Sequence, residues 1–147
     1  MAESLYTTRN VLSAVRKLIL IVFVIGLFGT GGELLLIGHT DGYQQWIPIV
    51  LMAFSVAVLF IHWIFFKPLT VRLFQLTMVM FVLSSLAGIW LHYQGNLEFE
   101  LEMYPASNGF ELFKQSVSGA SPTLAPGAML QLGLLGLVYS YRHPLNN

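Results

Sequence analysis

Four long apolar runs constrain the fold of this chain more than any other feature. They cover residues 18–37, 46–66, 73–93 and 122–141. Each run is close to the length of about 20 residues that an α-helix needs to cross the hydrocarbon core of a bilayer. The sequence therefore predicts an all-α integral membrane protein with four transmembrane helices in an antiparallel bundle.

The composition agrees with a lipid environment. Of the 147 residues, 56% are hydrophobic and 10% are charged, and the mean hydropathy is +0.71. A soluble domain carries about 25% charged residues, a much larger fraction than this chain has. The formal net charge of zero argues against nucleic acid as a partner. The absence of cysteine excludes disulfides, thiolate metal sites and cysteine nucleophiles.

Short polar breaks separate the first three runs. Residues 38–42 form a glycine-bounded turn, and Lys67 and Pro68 end the second run, so helices 1, 2 and 3 are expected to be antiparallel neighbours. Six basic residues fall on one side of the bilayer in this threading: Arg9, Arg16, Lys17, Lys67, Arg72 and Arg142. The other side keeps only Lys114. The positive-inside rule then places both termini in the cytoplasm.

The first run is read as a retained span. A signal peptide has an apolar core of about 7–15 residues followed by a small-residue cleavage site, and this run is longer and lacks such a site. Residues 1–17 form a cytoplasmic segment, either an interfacial helix or a loose terminus. Residues 142–147 form a cytoplasmic tail.

Residues 94–121 make the one substantial segment outside the membrane, on the outer side between helices 3 and 4. Apolar and acidic residues alternate strictly over residues 97–103, which predicts a half-buried strand. Residues 109–117 predict a short amphipathic helix. A lone strand has three options: it caps the bundle, forms a hairpin, or adds to the sheet of another chain.

Four polar side chains are predicted to form an intramembrane cluster. By helical rise, Glu33, Ser85 and Gln131 share one layer near the outer end of the bundle, and His92 lies just above it. One reading is that they form interhelical hydrogen bonds that orient the helices. A second makes Glu33 a proton or cation site that opens outward. A third makes it a contact with a helix of a partner subunit.

The histidines sort by depth into two pairs. His39 and His92 lie at the outer boundary, and His62 and His143 lie at the inner one. Paired imidazoles are typical of haem ligation. His92 and His62 are therefore candidate axial ligands for haem or chlorin, and Gly88 would leave room for a macrocycle beside His92. No cofactor is required by the sequence, and interfacial histidines also occur for ordinary reasons.

Three carboxylates, Glu98, Glu100 and Glu102, are predicted to share one face of the alternating segment. The ordinary interpretation is the solvated side of a strand. The alternative is a site for a hard divalent cation, which prefers oxygen ligands.

No catalytic triad, phosphate loop or zinc-protease motif is present, so the chain is not expected to be an enzyme. We expect a small accessory or scaffold subunit of a larger membrane complex, in contact with lipids and other integral subunits, in a bacterial inner membrane. One alternative is a haem- or chlorin-binding subunit of an electron-transfer or photosynthetic complex. Another is a small proton or cation transporter or channel component that uses Glu33.

Overall fold

A computed structural model describes the backbone of residues 2–146 and the side chains of residues 10–145. The regular secondary structure of the described chain is all helical, and these residues contain no strand. Its α-helices in order are α1 (Ala2–Leu36), α2 (Tyr43–Phe65), α3 (Pro68–Met103), α4 (Gly109–Val117) and α5 (Gly127–Ser140), and a 3-10 turn follows at Pro144–Asn146.

Three helices are long and apolar enough to cross a membrane. They are Asn10–Leu36 within α1, Tyr43–Phe65 and Pro68–Met103, with mean hydropathies of 2.4, 2.4 and 1.8. Helix α2, at 23 residues, is about 35 Å long, which matches a hydrocarbon core of about 30 Å. Large apolar side chains cover the surface of these helices, among them Ile25, Phe60 and Leu86. These features are compatible with an integral membrane protein.

The turns between the long helices lie where the sequence predicts them. Gly38, with φ 67°, ends α1 in a left-handed conformation, which glycine adopts without steric cost. The Asp41 amide donates to Gln45 Oε1 at 2.9 Å and the Trp46 indole donates to the Thr40 carbonyl at 3.1 Å. Only Phe66 and Lys67 separate α2 from α3, which begins at Pro68.

The N-terminal segment is not a separate interfacial helix over its described part. Helix α1 runs without a break from Ala2 to Leu36. No proline or glycine occurs between Ala2 and Ile25, so helix propagation costs little once the apolar span is formed.

The predicted strand at residues 97–103 is wrong, because α3 continues through it to Met103. The segment consists of Leu, Glu, Phe and Met and contains no β-branched residue, and Leu, Glu and Met are strong helix formers. The helix ends just before Pro105, which disfavours helical backbone at the residue that precedes it. Helix α4, in contrast, confirms the short helix predicted at residues 109–117.

The fourth apolar run is only partly helical. Helix α5 has 14 residues and is about 21 Å long, shorter than the hydrocarbon core. The preceding residues 122–126 form turns in which the Ala125 amide donates to the Pro122 carbonyl at 3.0 Å. Pro122 and Pro126 lack the amide hydrogens that a helix over this stretch would need.

Helix α3 is the centre of the packing. It packs most extensively against α5 and also against α2, whereas α1 packs against α5 more than against α2. A Cβ on Gly133 would lie 2.9 Å from the Met78 carbonyl oxygen, so α3 and α5 approach closely because this position has no side chain. The core takes residues from α1, α2, α3 and α5: Phe23, Leu27, Met52, Val58, Phe74, Met78, Phe81, Met129 and Leu132.

Candidate functional site

Three polar side chains of α3 form a ladder that holds the non-helical entry to α5. Ser85, His92 and Asn96 are separated by seven and four residues, so they lie along one face of the helix. Ser85 Oγ donates to the Pro126 carbonyl at 2.7 Å, and His92 Nδ1 donates to the Pro122 carbonyl at 3.0 Å. We call Ser85, His92 and Asn96 the α3 polar ladder.

Asn96 makes the densest set of contacts in this ladder. Its Nδ2 donates to the carbonyls of Ser116 and Ser121 at 2.9 and 2.7 Å, and to Thr123 Oγ1 at 3.2 Å. Its Oδ1 accepts the Ser121 amide at 3.0 Å. A Cβ on Gly119 would lie 2.6 Å from the Asn96 side-chain carbon, so this glycine permits the close approach.

The α3 polar ladder adds side-chain hydrogen bonds to the non-helical entry of α5, where the carbonyls of Pro122 and Pro126 also accept the amides of Ala125 and Met129. The carbonyls of Ser121, Pro122 and Pro126 each accept a bond from a ladder side chain. Ser85 and His92, predicted as part of an intramembrane cluster, therefore fasten the entry of α5 to α3.

Glu33 of α1 and Gln131 of α5 make no hydrogen bond to Ser85 of α3, which bonds to the Pro126 carbonyl instead. Thr30 and Gly26 of α1 line a cavity of about 110 Å³ with Gln131 and Leu132 of α5. Glu33 lies one helical turn beyond Thr30 on α1, and both Glu33 and Gln131 are exposed. We call this surface the α1/α5 groove. The structure thus brings Gln131 beside Thr30, and Glu33 lies outside the cavity lining, one turn closer to the end of α1.

His92 and His39 lie within electrostatic reach of each other. The pKa of His39 is lowered from its ordinary value by burial and then by the charge of His92, and Asp41 opposes this shift. Because the Pro122 carbonyl is only an acceptor, His92 Nδ1 carries the hydrogen and Nε2 of the neutral ring is left as an acceptor. Pro126 fills the space beside Gly88, since a Cβ there would lie 2.9 Å from Pro126 Cβ. That position holds no room for a macrocycle.

The acidic residues of the outer segment do not share one face, because they lie on a helix. Residues on an α-helix are about 100° apart, so Glu98 and Glu102 share a face and Glu100 points away from them. Their exposure agrees, since Glu98 and Glu102 are exposed and Glu100 is half-buried. Within residues 10–145 no three His, Asp or Glu side chains are grouped closely enough to hold a metal ion.

The second histidine pair meets at the opposite end of the bundle, where α2 ends, α3 begins and α5 ends; we call it the basic end. The rings of His62 and His143 are in edge contact, with centroids 5.4 Å apart, and each residue is 7% exposed. Phe66 stacks on His62 at 5.0 Å, and Tyr139 lies 6.0 Å from His143.

Hydrogen bonds set the hydrogen position on His62. The Thr70 hydroxyl donates its hydrogen to the Lys67 carbonyl at 2.7 Å, so its oxygen accepts from His62 Nδ1 at 2.6 Å. The neutral His62 ring therefore carries its hydrogen on Nδ1 and keeps a lone pair on Nε2. The pKa of His143 is lowered by burial first, and then by the nearby charges of His62 and Arg16.

Backbone strain is concentrated at this histidine pair. Among residues 2–146, the non-glycine residues with positive φ are Phe66, at 47°, and Arg142, at 44°. Phe66 stacks on His62, and Arg142 immediately precedes His143. A left-handed non-glycine residue costs about 1–3 kcal/mol and persists where surrounding contacts fix it. The tail after α5 is fixed here by Arg16, whose Nη2 donates to the carbonyls of Tyr141 at 3.0 Å and Arg142 at 2.7 Å.

Sequence reasoning missed Asn96, Thr70 and the tail-fixing contacts of Arg16. The excess of serine and threonine in residues 116–123 was a usable signal, because short hydroxyl side chains near apolar spans need hydrogen-bonding partners. No comparable signal marked the contact between Arg16 and the end of α5, which are more than 120 residues apart.

No protein-family model matches the chain, and comparisons with curated proteins and with solved structures give no match.

Proposed function

We propose that this chain is a small, non-enzymatic integral membrane subunit that assembles with another membrane-spanning protein through the α1/α5 groove. In this proposal the chain crosses a bacterial inner membrane four times, with both termini in the cytoplasm. The fourth crossing combines α5 with residues 121–126, and the α3 polar ladder supports it by pairing the carbonyls of that stretch. The distribution of basic residues supports the orientation.

The position of Glu33 carries the proposal. This carboxylate is exposed, and it lies about 5 Å from the end of an apolar helix that is long enough to span a bilayer. An ionisable group facing lipid costs up to about 3 kcal/mol on insertion scales. A partner helix that presents a hydrogen-bond donor or a cation removes this cost.

The rest of the groove suits a helix as the occupant. Thr30 and Gln131 supply polar side chains below Glu33. Gly29 and Gly32, beside them on α1, have open space where a side chain would be. Small residues let a second helix backbone approach closely, and polar side chains then bond across the interface.

Co-purification with matched variants tests the proposal. After mild detergent extraction of the native membrane, we expect the tagged chain to migrate with additional membrane proteins on blue-native electrophoresis. Glu33→Gln keeps hydrogen bonding and should preserve the assembly, whereas Glu33→Arg should release the partner. Glu111→Arg, the same charge reversal on the exposed face of α4, serves as the control and should have no effect.

Two results would contradict the proposal. If the wild-type chain migrates alone, or only with copies of itself, it has no heterologous partner. An assembly that survives Glu33→Arg removes the α1/α5 groove as its contact surface.

A further inference from the structure

A cluster of basic residues lies at the basic end of the bundle. Arg16 and Lys17 of α1, Lys67 and Arg72 around the start of α3, and Arg142 after α5 all belong to it. Every described acidic side chain lies toward the opposite end: Glu33, Asp41, Glu98, Glu100, Glu102 and Glu111. Glu3, whose side chain is not described, is 13 residues before Arg16 on the same helix, or about 20 Å away.

Two of these residues, Arg16 and Arg142, meet where α1 reaches the end of α5, through a bond from one side chain to the backbone of the other. Arg16 is half-buried, and its Nη2 bonds to the carbonyls of Tyr141 and Arg142. The Arg142 guanidinium lies over the Tyr141 ring, 5.7 Å from its centroid. These contacts leave the Nη1 and Nε donors of Arg16, and the whole Arg142 fork, without a partner among residues 10–145.

The conformation of Arg142 is fixed rather than incidental. Its φ of 44° is unfavourable for a residue with a side chain, and the bond from Arg16 to its carbonyl, at 2.7 Å, holds it. The buried ring of His143 anchors the next residue. The protein therefore holds the backbone of Arg142 against the side chain of Arg16 at the cost of backbone strain.

The level of this pair along the helices points to lipid headgroups. Large exposed aromatic side chains cluster at the same end, with Trp63 74% and Tyr141 65% exposed, as is typical of the membrane interface. Leu18 and Ile21, which follow Arg16 on α1, are exposed and apolar. A ligand here meets cations at one level and an apolar surface immediately below it.

We propose that Arg16 and Arg142 together bind the phosphate of an anionic phospholipid headgroup, whose acyl chains lie along the exposed apolar face of α1. Guanidinium groups bind phosphate oxygens through paired, charge-assisted hydrogen bonds. The proposal rests on the chain spanning a membrane as proposed above, and it does not depend on a partner subunit at the α1/α5 groove.

Titration of lipid into protein purified in an uncharged detergent tests the site, with native mass spectrometry and thermal unfolding as readouts. Phosphatidylglycerol should bind and stabilise, and phosphatidylcholine should not. A basic residue near a membrane surface contributes about fivefold to affinity through general attraction. Arg142→Gln should exceed this and weaken binding by tenfold or more, whereas Arg72→Gln should cost fivefold or less and Lys114→Gln nothing.

The outcomes separate the alternatives. Equal losses from Arg142→Gln and Arg72→Gln would overturn a specific site, and so would equal binding of the two lipids. Stabilisation by millimolar inorganic phosphate equal to that by phosphatidylglycerol would make the ligand a free anion. Binding of an acidic peptide that depends on Arg142, without binding of phosphatidylglycerol, would make it a protein segment. Loss of partner assembly in Glu33→Arg with intact lipid binding would leave this inference standing.

Discussion

Replacing Asn96 with alanine should release the outer segment from α3 without unfolding the bundle. The amide of Asn96 makes four hydrogen bonds to Ser116, Ser121 and Thr123. In Asn96→Ala the Ser116 carbonyl keeps the Thr123 hydroxyl, at 3.3 Å, but both backbone groups of Ser121 lose their partner on α3. Because Ser121 is exposed and water can pair its backbone, each of its two lost hydrogen bonds costs about 0.5–1.5 kcal/mol net, and we expect a loss of about 1–3 kcal/mol in docking free energy.

Hydrogen–deuterium exchange in detergent micelles measures this loss locally. A tenfold change in an equilibrium corresponds to about 1.4 kcal/mol, so opening of residues 116–126 should increase by about 5-fold to 150-fold. Hydrogen–deuterium exchange of peptides from α2 should be unchanged, because the Asn96 side chain makes no hydrogen bond to α2. Asn96→Asp should be at least as damaging, since a carboxylate keeps the Ser121 amide and repels the two carbonyls.

Asn108→Ala is the matched control for this experiment. Asn108 lies in the same outer segment, is exposed, and makes a single bond to the nearby Ala106 carbonyl, so its removal should leave exchange unchanged. Unaltered exchange in Asn96→Ala would refute the role of the α3 polar ladder. A uniform increase over all helices would show that Asn96 supports the whole bundle instead.

Three other outcomes follow from the contacts described above. Gly133→Ala should lower the melting temperature, because its Cβ meets the Met78 backbone and overpacking costs about 1–3 kcal/mol; Gly127→Ala, which has open space on the same helix, should be tolerated, and equal effects would contradict the close α3–α5 contact. The pKa of His143 is lowered in the folded chain, which therefore favours the neutral ring. The contribution of this ring to stability is complete above about pH 6.5 and is lost as the pH falls through the lowered pKa. Between about pH 8 and pH 5 the melting temperature should fall less in His143→Gln than in the wild type, and parallel curves would refute this. Thr70→Val should destabilise the basic end by about 1–3 kcal/mol in chemical unfolding, because it leaves His62 Nδ1 without its acceptor, whereas Thr70→Ser should restore the wild-type value.

Local composition decided much of this architecture. The apolar runs, the glycine turn after α1 and the proline after Lys67 set where the long helices lie, since length and hydropathy are properties of each segment alone. The structure confirmed α4, which the same reasoning predicted. This reasoning failed at residues 97–103, where a period of two suggested a strand although every residue type present there favours or permits helix.

The polar residues were located by sequence but not assigned their partners. Ser85 and His92 were predicted to join Glu33 and Gln131 in one cluster, whereas their bonds run to the carbonyls of Pro126 and Pro122. Depth along a helix can be counted from the sequence, because the rise per residue is constant. The direction around the helix axis that meets a neighbour cannot, because it depends on which helices pack together.

The sequence by itself thus determined the membrane-like character of the chain and the approximate positions of its three long apolar helices and of α4. The tertiary structure decided that α1 packs mainly on α5, that the entry to α5 is bonded to α3, that His62 meets His143, and that Arg16 holds the tail. The physical reason is that hydrophobicity and helix propensity act within a segment, whereas close packing and hydrogen-bond satisfaction are settled only between segments that are distant along the chain.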